Sequence, residues 1–194
     1  MTSSPQKSAK AGAGRNQLRI IGGEYRRRTL SFPDGDGLRP TPDRVRETLF
    51  NWLGQELHGQ ICLDLFAGAG GLGFEAASRG ARRVVMVEQS RTALAALRSN
   101  KELLKAAAVD IVAADALAWL ARNQTPFDLV LLDPPFASDL LGKSLAMLAP
   151  HLSATARVYI EGASWPELAG WEVLREGKAG AVRYGLLRRA LAQD

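Results

Sequence analysis

From Ile61 onward the chain alternates short apolar runs with stretches of helical period, and this alternation restricts the fold more than any other feature. Residues 61–66, 83–88, 110–113, 127–132 and 157–161 read as strands. Between them lie segments such as 90–105, where Leu94, Leu97 and Leu104 share a helical face. Strand and helix in strict alternation imply right-handed crossovers and a mostly parallel sheet covered on both faces. Such a sheet takes its ligands at the carboxyl ends of its strands. The pattern changes near the C-terminus, where 171–176 and 181–189 are both strand-like with only 177–180 between them. A connection that short requires an antiparallel pair at the end of the sheet. With 194 residues and 46% hydrophobic content, the expectation is one compact Rossmann-like α/β domain with small additions.

Those additions precede the alternating region. Residues 1–16 are a low-complexity mix of Ser, Ala, Gly and Lys that reads as a disordered leader. Residues 18–21 and 25–30 flank Gly22-Gly23, which predicts a hairpin closed by a two-glycine turn and carrying Arg19, Arg26, Arg27 and Arg28. A loop over 31–39 leads to Thr41 as N-cap and Pro42 at the first helical position. Val45, Leu49, Trp52 and Leu53 then fall on one face of a helix ending near Gly54. The chain thus divides into a leader (1–16), a basic extension (17–54) and a catalytic domain (55–194).

Charge supports that division. Residues 1–50 hold ten Lys/Arg against five Asp/Glu, whereas 51–194 hold fifteen of each, so the formal charge of +5 belongs to the first fifty residues. A basic extension on a neutral body suits a polyanionic partner. Arg39, Arg44 and Arg46 stand at the entrance of the helix, where guanidiniums left free by its apolar packing face can meet phosphates. Cys62 is the only cysteine and lies in an apolar run, which predicts burial as a small hydrophobe, and His58 and His151 alone offer no zinc ligand set. No apolar run is long enough for a membrane helix and residues 1–14 lack a signal-peptide core, so a cytoplasmic location is expected.

The first strand runs into Asp64-Leu65-Phe66-Ala67-Gly68-Ala69-Gly70-Gly71-Leu72-Gly73. Glycines at 68, 70 and 73 permit a tight turn and close approach of a ligand to the backbone. Glu88 ends the second strand 20 residues after Gly68, where a carboxylate can accept from both hydroxyls of a ribose. Together these specify a nucleoside-bearing cofactor. The glycine spacing alone also fits a dinucleotide. Asp64 favours S-adenosylmethionine, because a carboxylate there repels a pyrophosphate but can hold the ammonium of a methionine moiety, directly or through water. Asp115, after the third strand, can accept from an adenine amino group or cap the next helix. Phe66, Ala67, Gln89 and Ala116 adjoin these residues and complete the candidate cofactor site.

Asp133-Pro134-Pro135-Phe136 directly follows the apolar strand 127–132. Two prolines stiffen the loop and remove two backbone donors, leaving acceptors that match an amino group. Phe136 can lie against the base that carries the amine. An exocyclic amine attacking a sulfonium methyl needs alignment more than a strong base, and Asp133 or water can take the proton afterwards.

The sequence resembles the bacterial small-subunit rRNA guanine-N2 methyltransferases of the RsmD type. The resemblance runs from Arg19-Ile20-Ile21-Gly22-Gly23-Glu24-Tyr25 through the stretch Arg39-Pro40-Thr41-Pro42-Asp43-Arg44-Val45-Arg46-Glu47 to the glycine loop and the tetrapeptide at Asp133. It implies a seven-stranded methyltransferase sheet with a reversed terminal hairpin, an N-terminal extension facing RNA, and methylation of N2 of one guanine in small-subunit (16S) rRNA, assembled or assembling. On that reading Arg19, Arg26, Arg39, Thr41, Arg44 and Arg46 contact RNA, and the enzyme acts as a monomer. Arg27 stands where relatives often have glycine. Three rivals remain: an adenine-N6 methyltransferase of DNA, for whose base-recognition domain the chain has no room; a nicotinamide oxidoreductase; and an RNA-binding module without catalysis, against which Asp64, Glu88 and Asp133 argue.

Overall fold

The computed structural model describes residues 15–33, 40–135 and 138–190. Residues 1–14 of the expected leader (1–16), Arg39 and Phe136 lie outside the described residues, and the leader's last two residues fall in β1. In chain order the elements are β1 (Arg15–Arg19), β2 (Thr29–Pro33), α1 (Asp43–Trp52), β3 (Ile61–Asp64), α2 (Gly71–Ser78), β4 (Arg83–Glu88), α3 (Arg91–Leu104), β5 (Val109–Ala113), α4 (Ala116–Leu120), β6 (Phe127–Leu132), α5 (Leu140–Leu148), β7 (Leu152–Gly162), β8 (Trp171–Ala179) and β9 (Val182–Arg189).

Seven strands form one sheet in the order β5-β4-β3-β6-β7-β9-β8. β5 to β7 pair in parallel, and β9 runs antiparallel to both β7 and β8. The expected terminal pair is therefore present, closed by Gly180-Ala181. The central strands β3, β4 and β6 are buried on both faces, as their unbroken apolar runs required, whereas β8 at the sheet's edge is largely exposed. In β4, Val84 and Met86 pack with Phe74 and Leu97 of α2 and α3 on one side, while Val85 and Val87 pack with Leu120 and Leu145 of α4 and α5 on the other. Strand order reverses between β3 and β6, so their carboxyl ends flank the crevice where open α/β sheets bind ligands. Cys62 is fully buried in β3, and burial pushes its thiol up to about 12. Among the described residues no helix is long and apolar enough to cross a membrane.

The N-terminal extension departs from expectation in two respects. A hairpin exists, but its strands pair Arg15 to Arg19 with Pro33 to Thr29, so β1 takes in Arg15 and Asn16, and a nine-residue loop replaces the two-residue turn. Gly22-Gly23 serves a different purpose. A Cβ on Gly23 would lie 1.8 Å from the Ser78 carbonyl oxygen, so the pair allows this loop to lie flush against the end of α2. Glu24 N donates to Ser78 O at 2.7 Å and Tyr25 N to Ser78 Oγ at 2.8 Å, which fixes the contact. The loop closes through Arg27, whose φ of 69° is a left-handed conformation that glycine adopts at lower cost. The second departure concerns Ser31 to Pro33, read as the start of a loop but folded into β2. Leu18, Ile20, Leu30 and Phe32 are buried in the same core as Phe74 and Leu97, and Asn100 of α3 bonds both backbone polar groups of Ser31. The extension is thus part of the globule, presenting the exposed side chains of Arg19, Arg26, Arg27 and Arg28 on its outer side.

Candidate active site

At the tip of β3, Asp64 is 2% exposed and its Oδ2 accepts from Gly73 N at 2.9 Å, tying the strand end to the first turn of α2. Between them Gly70 takes φ 82°, and a Cβ there would lie 2.7 Å from the side chains of both Leu97 and Phe74. Glu88, at the tip of β4, accepts from Gly68 N at 2.9 Å through Oε2 and from Gln89 N and Ser90 N at 2.8 and 2.7 Å through Oε1. Asp115 caps α4 by accepting from Ala118 N at 2.8 Å. Its capping role is thereby realised, and its second oxygen is left over, because a carboxylate has more acceptor sites than one cap uses. Phe66 is half-buried, Ala67 and Ala116 are buried, and Gln89 is exposed beside Glu88.

These bonds decide what kind of ligand the loop suits. In a phosphate-binding loop, backbone N–H groups point outward at the anion. Here the N–H groups of Gly68, Gly70 and Gly73 are taken by Glu88, Ala67 O and Asp64 respectively. What the loop offers instead is carboxylate, which fits a cationic ligand and disfavours a pyrophosphate. Burial, opposed by the N–H groups of Gly73 and Phe66 and reinforced by the charge of Glu88, pushes the Asp64 carboxyl up to about 7.

Asp133 follows β6 at the other side of the crevice. Desolvation raises its carboxyl well above the ordinary range, with the charges of Glu161 and of Asp64 adding to the shift and a hydrogen bond from Thr41 opposing it. Asp64 pairs with Leu131 across β3 and β6, so Asp133 follows two residues beyond that pairing at the neighbouring strand tip. Pro134 is buried and Pro135 exposed. The Pro135 carbonyl is occupied, accepting from Ser138 N at 3.1 Å and Ser138 Oγ at 2.6 Å, so it does not join the acceptor array expected of the tetrapeptide.

Two of the six residues assigned to RNA are elsewhere. Arg46 is fully buried: Nη1 meets Glu75 at 3.2 Å, Nη2 meets Asp43 at 2.6 Å and Arg19 O at 2.9 Å, and Nε donates to Thr41 O at 3.2 Å. It cannot reach a phosphate. Thr41, 5% exposed, is not the N-cap, a position held by Pro42. Its hydroxyl lies 3.2 Å from Asp133 Oδ2 and 3.1 Å from Glu161 Oε2. Thr41, from the stretch most specific to the resemblance, therefore lines the crevice beside Asp133 and Glu161. Arg19, Arg26 and Arg44 do have exposed side chains.

Two residues that the pattern did not single out belong here. Glu161, 3% exposed at the end of β7, accepts from Tyr159 Oη at 2.9 Å as well as from Thr41, and burial raises its carboxyl. The readable signal was that β3, β4 and β7 each carry a carboxylate at their carboxyl end and β6 is followed by one. Glu75, fully buried in α2, accepts from Ile21 N and Gly22 N at 2.9 and 2.8 Å and pairs with Arg46 and Arg79. Its signal was a lone charge in the otherwise uncharged helix over Gly71–Ser78.

The strand order and the crevice define a methyltransferase-type α/β domain. The structure of a putative methyltransferase, yhhF, from Escherichia coli superposes with a TM-score of 0.82 at 43% identity, covering 90% of this chain and 98% of that one. A precorrin-6y C5,15-methyltransferase from Geobacter metallireducens GS-15 shares the fold at 17% identity and a TM-score of 0.65. At the sequence level, the ribosomal RNA small subunit methyltransferase D of E. coli strain K12 is 43% identical over 183 residues, which is 91% of this chain and 92% of the relative. Its Haemophilus influenzae counterpart is 38% identical over 189 residues, 93% and 98% of the two chains. The family model described as Conserved hypothetical protein 95 matches residues 18–188, and the chain belongs to this family, that of the RsmD methyltransferases.

Proposed function

We propose that the protein transfers a methyl group from S-adenosylmethionine to the exocyclic N2 of one guanine in small-subunit rRNA, acting as a monomer on the RNA or on an assembling particle. The observation that carries the reading is the glycine loop whose Gly68 and Gly73 N–H groups are satisfied by the carboxylates of Glu88 and Asp64, leaving acceptors for a cation beside the amine-binding tetrapeptide. When bound, the cofactor supplies an electrophilic methyl on a sulfonium. Glu88 is the partner for the ribose hydroxyls, Asp115 for the adenine amino group, and Asp64 for the methionine ammonium. The relatives named above as acting on ribosomal RNA supply the substrate class.

With Pro135 O occupied, the acceptors for a flat amine narrow to the Asp133 carboxyl and the Pro134 carbonyl. Two acceptors hold the two N–H bonds of an amino group and turn its lone pair toward the donor. Asp133 then takes the proton, and its raised affinity for one suits it to do so. Incubating the protein with methyl-labelled S-adenosylmethionine and small-subunit rRNA, followed by nucleoside mass spectrometry, should show labelled N2-methylguanosine at one site. Label on adenine N6, or binding of NAD in place of S-adenosylmethionine in calorimetry, would replace the proposal.

The Asp64 carboxyl gives a pH prediction. Its folded value, about 7, lies above the ordinary carboxyl range, so the stability it contributes is present in acid and is lost as pH rises through 7. Between about pH 5 and 7 the ligand-free protein should lose stability relative to Asp64→Asn by about 1 kcal/mol per unit. A cation bound beside Asp64 favours the ionised form, so cofactor affinity should rise with pH up to about 7, with proton release detectable by calorimetry in buffers of different ionisation enthalpy. Parallel stability curves for the two proteins would contradict this.

On the surface, Arg44 is exposed on α1 and its guanidinium forms no ion pair with a described residue. Arg44→Ala should flatten the salt dependence of RNA binding by roughly one unit of log–log slope, with folding stability unchanged. An unchanged slope removes Arg44 from the RNA interface.

A further inference from the structure

Glu161 lies beside the proposed chemistry but has no part in the reading above. Its Oε2 and the Oδ2 of Asp133 sit on either side of one hydroxyl, at 3.1 and 3.2 Å from Thr41 Oγ1, and Tyr159 Oη donates to the same Glu161 oxygen at 2.9 Å. A hydroxyl has one hydrogen and serves one acceptor at a time. If both carboxyls were ionised, one of the two contacts to Thr41 would bring two lone pairs together. With one proton on the pair, both contacts are hydrogen bonds: the protonated carboxyl donates to Thr41, and Thr41 donates to the other. Thr41 is held for this, since Arg46 Nε donates to its carbonyl at 3.2 Å. The groups facing the pair are Asp64 from β3 and Tyr159 from β7, together with Thr41, and Tyr184 from β9 packs against Tyr159. The guanidinium of Arg46 is occupied by Asp43 and Glu75 on its other side.

We infer that Thr41 and Glu161 take up the proton the pair holds, leaving Asp133 ionised to receive the one that methylation releases from the substrate nitrogen. The step balances. The amine lone pair forms the N–CH3 bond as the sulfonium C–S bond breaks, and the nitrogen becomes cationic. With the pair's one proton shifted from Asp133 to Thr41 Oγ1 as Thr41 gives its own to Glu161, one N–H proton passes to the ionised Asp133, and the crevice later returns a proton to water. Like charges side by side make each carboxyl a stronger proton acceptor than it would be alone, so the second carboxylate strengthens the first as well as receiving from it. Glu161 is a positioning residue in this scheme, since it acts through Thr41.

The inference rests on the methyltransferase reading, and the test separates the two. Single-turnover methyl transfer by the full chain is followed against pH for the wild type, Glu161→Gln, Thr41→Val and Thr41→Ser. The wild type should show an acid limb set by ionisation of Asp133. Glu161→Gln removes the neighbouring charge, so that limb should move down by about one pH unit while the plateau rate falls roughly tenfold and KM for S-adenosylmethionine stays the same. Thr41→Ser keeps the hydroxyl and should retain most of the rate that Thr41→Val loses. Carboxyl carbon NMR of the ligand-free protein gives a readout independent of turnover: Asp133 and Glu161 should titrate as a coupled pair that becomes a single lower step in Glu161→Gln. A Glu161→Gln profile that superimposes on the wild type, Thr41→Ser as deficient as Thr41→Val, or independent titration of the two carboxyls overturns the inference. A wild type that transfers no methyl overturns the functional reading itself.

Discussion

Asp133→Ala is expected to lower methyl transfer by roughly 10³-fold while cofactor affinity changes by less than about threefold. The size follows from what the side chain is asked to do. In the proposed reaction it holds one N–H of the amine and then accepts a proton, and each function is lost when the carboxyl is removed. A single oriented group of this kind contributes about 4 kcal/mol to a transition state in other enzymes. The small effect on binding follows from position. Asp133 lies past the end of β6, whereas the residues assigned to the cofactor lie at the tips of β3 and β4 and at the start of α4. Removing Asp133 also removes one of the charges crowding the crevice, so the alanine protein should bind S-adenosylmethionine at least as readily at low pH as the wild type does. Asp133→Asn gives a finer comparison. Its amide oxygen can still accept from the amine but takes no proton, so its deficit should fall between those of the wild type and the alanine protein. Equilibrium calorimetry and single-turnover rates on the same preparations check both halves. A large loss of cofactor binding in Asp133→Ala would move this residue from the substrate side of the crevice to the cofactor side.

The parallel sheet was legible because its strands are buried on both faces. Such strands are written as unbroken apolar runs, and β4 and β6 have the limits that the runs predicted. β7 was shortened in the reading because its first half, Leu152 to Ala156, contains Ser153 and Thr155 and looks like loop, although pairing of Leu152 with Phe127 across an irregular register draws it into the sheet. The cofactor loop was legible for a different reason: a chain that must turn tightly between strand and helix has few residues to choose from. Gly22-Gly23 shows the limit of that logic. Glycine is demanded equally by a turn and by close contact of two backbones, and the partner that makes it a contact, Ser78, is 55 residues away. Charge was the least legible layer. Arg44 and Arg46 are two residues apart on one helix, and only the position of α2 reveals that one faces solvent and the other faces Glu75. Glu161 was passed over because a carboxylate ending a strand carries no motif by itself. It gains its meaning from Thr41, 120 residues earlier.

Arg46→Ala should destabilise the protein by about 3–5 kcal/mol, read as a shift in the urea unfolding midpoint at constant slope. Arg46 is among the largest fully buried side chains, and its guanidinium joins four partners from three parts of the chain: Thr41 O and Asp43, Arg19 O, and Glu75. Truncation leaves two carbonyls without a donor, opens a cavity, and deprives a fully buried Glu75 of one of its two guanidiniums, leaving Arg79. Arg46→Lys keeps the charge but cannot span four acceptors from one ammonium, so it should recover only part of the loss. Because Arg46 also holds the Thr41 carbonyl, catalysis should suffer beyond what the unfolded fraction explains, and that surplus should persist at low temperature where both proteins are folded. The salt dependence of RNA binding should not change, which is the reverse of the outcome expected for Arg44→Ala. If Arg46→Ala instead unfolded with the wild type and flattened the salt slope, the buried network around Glu75 would not exist in solution, and the wall that carries Thr41 to Asp133 would lose its support.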